Sequence, residues 1–419
     1  MSNIRSDQPD LHIDLGDIFM TDKLSGFTAE LGGGLPSQSR VNTRAVMLRA
    51  LFEQTCHSVP FFYTLGNHEA EYGYLFNAAA DKQNNIPAWN LKARKAFYPT
   101  PVPSSFYTGN ATPMDYTGGT LGLLEDYYAW EWGDALFIVL DPFWNTLTNA
   151  NTAKDGWKWS LGKAQYDWLK ATLQNSSASY KFVFMHHIIG GSIVAADGSS
   201  NFAARGGVEV ADKYEWGGKN ADGSDGFETN RPGWGGVPIH NLLVQNKVNV
   251  VFHGHDHLYG YQTLDGMVYL ECPQPGTANF TGTGSSADGQ YSTGVLLPNS
   301  GYIRVSVGPN GATSEYVRAY RAADENATRH NQDISHSFTL SPRIFPPIEM
   351  TAAAAGQASF RWNAVANKTY SVQWSADLVN WTTIDTVIFS NTNTNATYTD
   401  TAGARVNQAR VFYRVSYTP

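Results

Sequence analysis

The sequence predicts an α/β fold built around a layered sheet, followed by a small all-β domain. Apolar runs typical of buried strands alternate with helical segments over residues 1–336, which indicates a sheet covered by helices. Residues 337–419 show only short alternating strands between turn residues, as in a β-sandwich. The length of 419 residues fits two to three domains at about 150 residues each.

The elements of the first part alternate along the chain. Short apolar runs, several closed by glycine, predict strands at 11–17, 59–65, 135–141, 180–185, 248–252, 267–270 and 302–307. Apolar residues at helical spacing predict helices at 41–56, 162–173 and 238–245. The predicted inner faces of the first two helices hold Val46, Ala50, Leu51 and Gln54, and then Tyr166, Leu169 and Leu173.

The composition excludes several classes of protein. Charged residues make up 16% of the chain and the net charge is −8 without a basic run, so nucleic acid is not expected as a stable partner. No apolar run approaches the roughly 18 residues of a membrane span. The low charge content is typical of secreted or periplasmic proteins, although the chain shows no signal peptide. Cys56 and Cys272 are either one bridge or two thiols.

Four predicted strand ends carry side chains that bind metals. They are Gly16-Asp17, Gly66-Asn67-His68-Glu69, His186-His187 and Gly254-His255-Asp256-His257. In α/β sheets, ligands bind beyond the carboxyl ends of strands, so segments that are distant in sequence can converge there. Carboxylate, amide and imidazole donors suit Mn, Fe or Zn. His255 and His257 face the same side if their segment is extended.

This set of motifs resembles the calcineurin-like metallophosphoesterase superfamily, and within it the purple acid phosphatases and similar secreted phosphodiesterases. The resemblance covers roughly residues 9–325. It implies a four-layer αββα sandwich with two divalent metals, and hydrolysis of a small phosphate mono- or diester by attack of a metal-bound hydroxide on phosphorus.

The resemblance also implies a role for each motif residue. Asp17 would bridge both metals and act in catalysis; Asn67, His186 and His255 would complete the second site, and His257 would bind the first. His68 would be the acid that protonates the leaving oxygen. Asn67 and His187 would contact the substrate, with a structural role as the alternative for His187.

Two departures from the family affect the metals. Met20 stands where purple acid phosphatases have the tyrosine that ligates ferric iron, so no iron-tyrosinate centre is expected. The family's opening Asp-x-His has no proper match, because Asp10 lies roughly 20 Å along the strand from Asp17. We therefore expect an N-terminal strand to be missing and the first metal site to be weakened. A degenerate one-metal or inactive domain that acts in binding or adhesion is the alternative function.

Other polar residues near the motifs are expected to play supporting roles. His253 and Asp256 would orient ligand imidazoles. Turn capping is favoured for Asp141, and structural roles for His240, His12 and Asp14.

The glycine-rich segment 190–236 has two interpretations. As a functional loop, it would use Trp216, Trp234 and either Arg205 or Arg231 to shape a pocket or clamp a phosphate. The alternative is a surface insertion without a role.

The C-terminal part resembles the fibronectin-type or immunoglobulin-like β-sandwiches appended to secreted bacterial enzymes. Prolines at 342, 346 and 347 mark a linker, and strands are predicted at 359–362, 369–374 and 411–417. Trp374 and Trp381 flank a turn between strands. The module would attach to a carbohydrate or surface, or be a stabilising spacer whose tryptophans are core.

Overall fold

The computed structural model describes residues 1–28, 34–79, 85–116, 119–190, 193–194, 200–201, 205–283, 290–308, 311–340, 348–364, 368–378, 380–389 and 395–417. It confirms the α/β class of the first part and the all-β class of the second. Within these residues, no helix combines the length and apolar character that crossing a membrane requires. Cys56 and Cys272 are both free thiols.

The strands, numbered in chain order, are short in most of the first part. They are β1 (His12–Asp14), β2 (Phe61–Tyr63), β3 (Thr108–Gly109), β4 (Pro113–Tyr116), β5 (Gly119–Leu123), β6 (Tyr128–Trp132), β7 (Ala135–Val139), β8 (Tyr180–Phe184), β9 (Ile193–Val194), β10 (Ser200–Asn201), β11 (Val250–His253), β12 (Tyr259–Leu264), β13 (Met267–Glu271), β14 (Val295–Leu297), β15 (Gly301–Gly308), β16 (Gly311–Arg318) and β17 (Ile334–Leu340). The C-terminal strands are β18 (Ile348–Thr351), β19 (Ala358–Asn363), β20 (Lys368–Ser375), β21 (Thr382–Phe389), β22 (Asn395–Asp400) and β23 (Phe412–Tyr417).

The helices are similarly compact, with one long exception after β1. They are α1 (Ser2–Asp7), α2 (Gln38–Cys56), α3 (Gly73–Ala78), α4 (Ile86–Phe97), α5 (Ala150–Ala153), α6 (Lys163–Asn175), α7 (Tyr214–Gly217), α8 (Phe227–Asn230), α9 (Ile239–Gln245) and α10 (Gly403–Val406). Short 3₁₀ turns include Thr21–Gly26 and Asn67–Glu69. Most predicted elements are therefore present. Three of the seven predicted strands are two to four residues shorter than predicted, and the other four agree to within two residues at each end.

One eight-stranded sheet forms the centre of the first part, in the order β14-β12-β13-β11-β8-β7-β6-β3. Its middle strands β7, β8, β11 and β13 are parallel neighbours. Because successive side chains of a strand point to opposite faces, Leu136 and Ile138 join one apolar cluster while Val139 joins another. The first cluster includes helix residues of α6 and α9. The second includes Tyr316 of the separate β15-β16-β17 sheet, so helices cover one face and a second sheet the other.

Helix α2 buries a different face from the predicted one. Val46 and Leu51 are 49% and 46% exposed, whereas Val41 and Phe52 are buried. The prediction of the inner face was therefore wrong. This helix carries apolar residues on more than one side, so spacing alone could not select the side that packs on the core.

Strand β17 crosses the predicted domain boundary at residue 336. Leu340 pairs with Ala312 of β16, so residues up to 340 share a sheet with the first part. The predicted proline linker lies within 341–347, outside the described residues. The division into two domains stays a prediction, with its boundary after 340.

The C-terminal strands form two three-stranded sheets, β18-β19-β22 and β21-β20-β23. Both contribute to one apolar cluster, which includes Phe360 of β19 and Tyr370 of β20. Trp374 and Trp381 are half-buried, and the Arg414 guanidinium lies 4.1 Å above the Trp381 ring. Neither tryptophan belongs to the apolar cluster, and the Arg414 contact favours a structural role for Trp381.

Candidate metal centre

The four motif segments all follow strands that run in parallel pairs. Asp17 follows β1 and the segment 66–69 follows β2, and these two strands are parallel. His186 follows β8, whose parallel neighbour β11 leads into the segment 253–257. The Nδ1 atom of His186 lies 2.6 Å from the Leu15 carbonyl, which joins the two pairs of segments at one place.

A buried carboxylate holds the first two segments together. Glu69 accepts hydrogen bonds from the backbone N–H groups of Gly66 at 2.6 Å, Asp17 at 2.8 Å and Phe19 at 2.9 Å. A Cβ atom on Gly66 would lie 2.2 Å from the Asp17 nitrogen, so only glycine allows this approach. The sequence analysis assigned no role to Glu69, although its position in the Gly66–Glu69 motif was a signal.

The predicted ligands Asp17, Asn67, His186 and His255 lie around the Nε2 atom of His186. That atom is 3.0 Å from Asn67 Oδ1, 3.2 Å from His255 Nδ1 and 3.3 Å from Asp17 Oδ2. In the neutral form of His186, with Nδ1 donating to the Leu15 carbonyl, Nε2 carries a lone pair. Four lone-pair atoms then point at one another, and this donor set fits a divalent cation. Asp17, His186 and His255 each offer an atom within 4.8 Å of the other two.

The electrostatics of this group are strongly coupled. Burial alone would raise the pKa of Asp17, but the charge of His186 and its hydrogen bond hold that pKa well below its usual range. Burial alone would lower the pKa of His186, whereas the charge of Asp17 and its hydrogen bond raise it to about 9. Burial and the charge of His186 lower the pKa of His255 well below its usual value. Without a bound cation, His186 therefore carries the proton, and its positive charge offsets the negative charge of Asp17.

His68 lies between two charged residues that the sequence analysis missed. Its backbone N–H donates to Asp17 Oδ1 at 2.8 Å. On the ring, Nδ1 is 3.0 Å from Asp22 and Nε2 is 2.8 Å from the ammonium nitrogen of Lys23. Asp22 and Lys23 belong to the 3₁₀ turn Thr21–Gly26, and no motif spacing links them to His68.

A cavity of about 380 Å³ opens beside the predicted ligands. It is lined by Asp17, Lys23, Asn67, His68, Tyr72, Tyr74, Thr146, Asn149, Ala150, Asn151, Trp159, His187, Arg205, His255 and His257. His257 therefore lines the cavity but lies outside the group formed by Asp17, His186 and His255. The Nε2 atom of His187 is buried without a hydrogen-bond partner among the described residues, and burial lowers the pKa of His187 to about 3. A neutral imidazole therefore faces this space.

Several predicted supporting roles need correction. His253 Nδ1 pairs with Glu271 at 2.7 Å, and Asp256 accepts a hydrogen bond from Arg205 at 2.7 Å. In the part of the chain that the structure describes, neither contacts a ligand imidazole, because the buried acid Glu271 and the cation Arg205 are nearer.

The expected structural roles of Asp141 and His240 agree with their contacts. Asp141 accepts the N–H groups of Phe143 and Trp144 at 2.9 and 3.0 Å, which is turn capping. His240 contacts the hydroxyl of Tyr269 at 2.7 Å.

Only one of the four side chains proposed from the segment 190–236 lines the cavity. Trp216 is fully buried and donates to the Tyr269 hydroxyl at 2.8 Å, and Trp234 is also buried. Arg231 pairs with the buried Glu215. The pocket roles of the two tryptophans were wrong, since both are used in packing. Of the alternatives Arg205 and Arg231, Arg205 lines the cavity. Residues 191–192, 195–199 and 202–204 lie outside the described part.

Comparison with protein-family models matches residues 1–259 to the calcineurin-like phosphoesterase family. The chain belongs to this family. This match confirms the predicted family, and the family's description as phosphoesterases agrees with the predicted enzyme class. Comparison with curated proteins gives no match.

Among solved structures, the chain is similar to purple acid phosphatase PPD1 from yellow lupin (Lupinus luteus) seeds, at 12% identity and a TM-score of 0.42. That alignment covers 80% of this chain and 47% of the lupin protein. The chain is also similar to PhoD, at 15% identity and a TM-score of 0.47, over 80% of this chain and 65% of PhoD. Because both TM-scores lie below 0.5, the family assignment rests on the family model.

Proposed function

We propose that this protein hydrolyses phosphate esters with divalent metal held by Asp17, Asn67, His186 and His255, and with His257 at a second position. The single observation that carries the proposal is the convergence of four lone-pair atoms around Nε2 of His186, beside an open cavity. Without a cation, a proton on Nε2 of His186 occupies the place among these atoms and pairs with Asp17, and a divalent cation would replace that proton. Mn, Fe and Zn all suit these donors.

The residues of the chain prepare the reacting phosphoryl group in two ways. Bound divalent metal supplies an acidified water and neutralises charge on the phosphoryl oxygens. Asn67 offers a neutral amide at the same place, where it can both bind metal and contact substrate. His187 lines the same cavity, but its Nε2 atom is buried, which favours the structural role that is the alternative for this residue.

His68 is the proposed proton donor for the leaving oxygen. Its Nδ1 edge is held by Asp22, which fixes the ring orientation and leaves Nε2 toward the cavity. Its backbone N–H bond to Asp17 ties the donor to the metal group. In the free protein Nε2 faces the Lys23 ammonium at 2.8 Å and accepts its hydrogen bond. Proton donation therefore requires the ammonium to turn to the substrate and Nε2 to be protonated; that proton would then pass to the ester oxygen as the P–O bond breaks.

Stripping and restoring metal tests the proposal. The full chain is treated with chelator, dialysed, and assayed on 4-nitrophenyl phosphate and bis(4-nitrophenyl) phosphate with and without added Mn²⁺. We expect turnover only with metal. Asp17→Asn and His255→Gln should lose more than about 100-fold in metal affinity and activity, since ligand loss exceeds the 10- to 100-fold typical of residues around a metal site. The matched surface variants Asp167→Asn and His57→Gln should keep both.

The number of bound metals separates this function from the degenerate alternative. Two equivalents per chain with turnover would support a dinuclear enzyme, and one equivalent with weak turnover a weakened first site at His257. Metal-independent turnover, or unchanged metal affinity in both ligand variants, would refute the proposal. Bound metal without turnover of either ester would favour the binding or adhesion role.

The location and the C-terminal module are also proposals. The low charge content of 16% supports a secreted or periplasmic location. The Arg414 guanidinium over the Trp381 ring supports a fibronectin-like spacer over a carbohydrate-binding face.

A further inference from the structure

Two cationic side chains line the cavity without belonging to the predicted metal ligands. Lys23 reaches it from the 3₁₀ turn after β1, and Arg205 from the segment before α7. They approach the metal group through different neighbours, His68 and His255. A ligand between them would meet positive charge at two points.

Lys23 has donors to spare. Its ammonium nitrogen is 2.8 Å from Nε2 of His68, which uses one of its three hydrogens. The other two have no partner among the described residues. The neighbouring acid Asp22 contacts Nδ1 on the opposite edge of the His68 ring, and Lys23 forms no ion pair with an acid among the described residues.

Arg205 is held in place by one edge of its guanidinium. Its Nη1 donates to Asp256 Oδ1 at 2.7 Å and to the His255 carbonyl at 3.3 Å. Asp256 is buried, and its other oxygen accepts from the Gly206 N–H at 2.8 Å and the Tyr291 hydroxyl at 3.0 Å. Nε and Nη2 of Arg205 have no partner in the described part of the chain, and the side chain is 27% exposed. Asp256 therefore fixes Arg205 at the wall of the cavity and leaves Nε and Nη2 available to a ligand.

We propose that Lys23 and Arg205 bind terminal oxygens of the substrate's phosphoryl group and make the site select phosphate monoesters over diesters. The inference rests on the proposed function, because metal at Asp17 would take the other oxygens. A monoester has three unesterified oxygens and a charge of about −1.5 to −2 near pH 7. A diester has two such oxygens and a single charge. In a monoester, the oxygen that is turned away from the metal carries negative charge and can bind Lys23 and Arg205. In a diester, the corresponding oxygen carries an alkyl group and offers these cations no anionic ligand.

Charge-neutral variants test the selection on the full, metal-loaded chain. Lys23→Met and Arg205→Met are compared with Lys163→Met, which removes a surface lysine paired with Asp167 outside the cavity. The substrates are 4-nitrophenyl phosphate and methyl 4-nitrophenyl phosphate. We expect the unmodified protein to prefer the monoester. Each cavity variant should lose about 10- to 100-fold in kcat/KM for the monoester, because one hydrogen bond to a charged group contributes about that much. The kcat/KM for the diester should change little. Lys163→Met should change neither.

Calorimetric binding of inorganic phosphate and of dimethyl phosphate gives a second readout that does not need turnover. Phosphate affinity should fall in both cavity variants, while dimethyl phosphate stays a weak ligand of all forms. Equal losses on monoester and diester, a preference of the unmodified protein for the diester, or unchanged phosphate affinity would overturn the inference. An unmodified protein that binds phosphate through these cations but turns over neither ester would refute the proposed hydrolysis and leave the anion selection standing.

Discussion

Replacing Glu69 by Gln is the sharpest test of how the metal group is assembled. The carboxylate is fully buried and accepts three backbone N–H groups, two on Oε2 and one on Oε1. A glutamine has only one acceptor oxygen. In its better orientation that oxygen meets the N–H groups of Asp17 and Gly66, and the amide NH₂ is forced against the N–H of Phe19.

The magnitude follows from counting these contacts. One charge-assisted hydrogen bond is lost, at about 1.5–3 kcal/mol, and one buried N–H is left without an acceptor, at about 1–3 kcal/mol. The two remaining bonds become neutral and weaker. We expect Glu69→Gln to lower the free energy of unfolding of this part by about 3–5 kcal/mol. Asp17 holds a left-handed φ of 61° beside this carboxylate, so metal affinity should fall as well.

The assay is urea unfolding of the metal-free protein followed by tryptophan fluorescence, together with a Mn²⁺ titration. Glu53→Gln on the exposed side of α2 is the matched control, and it should change the free energy of unfolding by less than about 0.5 kcal/mol. A Glu69→Gln protein with unchanged unfolding and unchanged Mn²⁺ affinity would show that the three N–H contacts do not hold the group together. Loss of stability with unchanged Mn²⁺ affinity would refute only the inference that Glu69 holds Asp17 in place for metal binding.

Two further predictions concern buried ionisable groups. Arg94→Met should lower the free energy of unfolding in urea by about 3–5 kcal/mol, because it leaves the charge of Glu71 unpaired; both side chains are fully buried and 2.9 Å apart. Adding Glu71→Gln should restore part of this free energy. A double variant whose loss equals the sum of the two single losses would contradict the pairing. Burial lowers the pKa of His12 to about 4, so the unfolded chain binds more protons than the folded one between pH 6.5 and 4 and stability rises with pH there. Relative to His12→Gln, the native protein should lose at most about 2 kcal/mol between pH 7 and pH 5, and a pH-independent difference between the two proteins would refute the assignment.

The sequence was most informative where chemistry and strand ends coincide. Asp17, Asn67, His186 and His255 could be predicted to converge because each follows an apolar strand, and parallel strands end at one edge of a sheet. The strands around them were also predicted to within a few residues, since buried β-strands have a strong apolar pattern. The helix at 163–175 followed from three apolar residues on one face, all of them buried.

The remainder depended on tertiary contacts that leave no local pattern. Lys23 and Asp22 meet His68 across a separation of 45 and 46 residues, and no periodicity indicates that contact. Trp216 and Trp234 were misassigned because a tryptophan in a glycine-rich segment has the same sequence context whether it lines a cavity or fills a core. The buried face of α2 was wrong for the same reason, since packing partners and not spacing decide between two apolar sides.

The contact between His186 and the Leu15 carbonyl has a kinetic consequence. It joins residues 171 positions apart, and the metal group cannot exist until that contact closes. The entropy of closing so long a loop grows only slowly with length, and folds rich in contacts at large sequence separation fold slowly. High affinity for a cation requires that the two pairs of parallel strands have docked. Uptake of metal during refolding should therefore report the docking of the two pairs and not the formation of either pair alone.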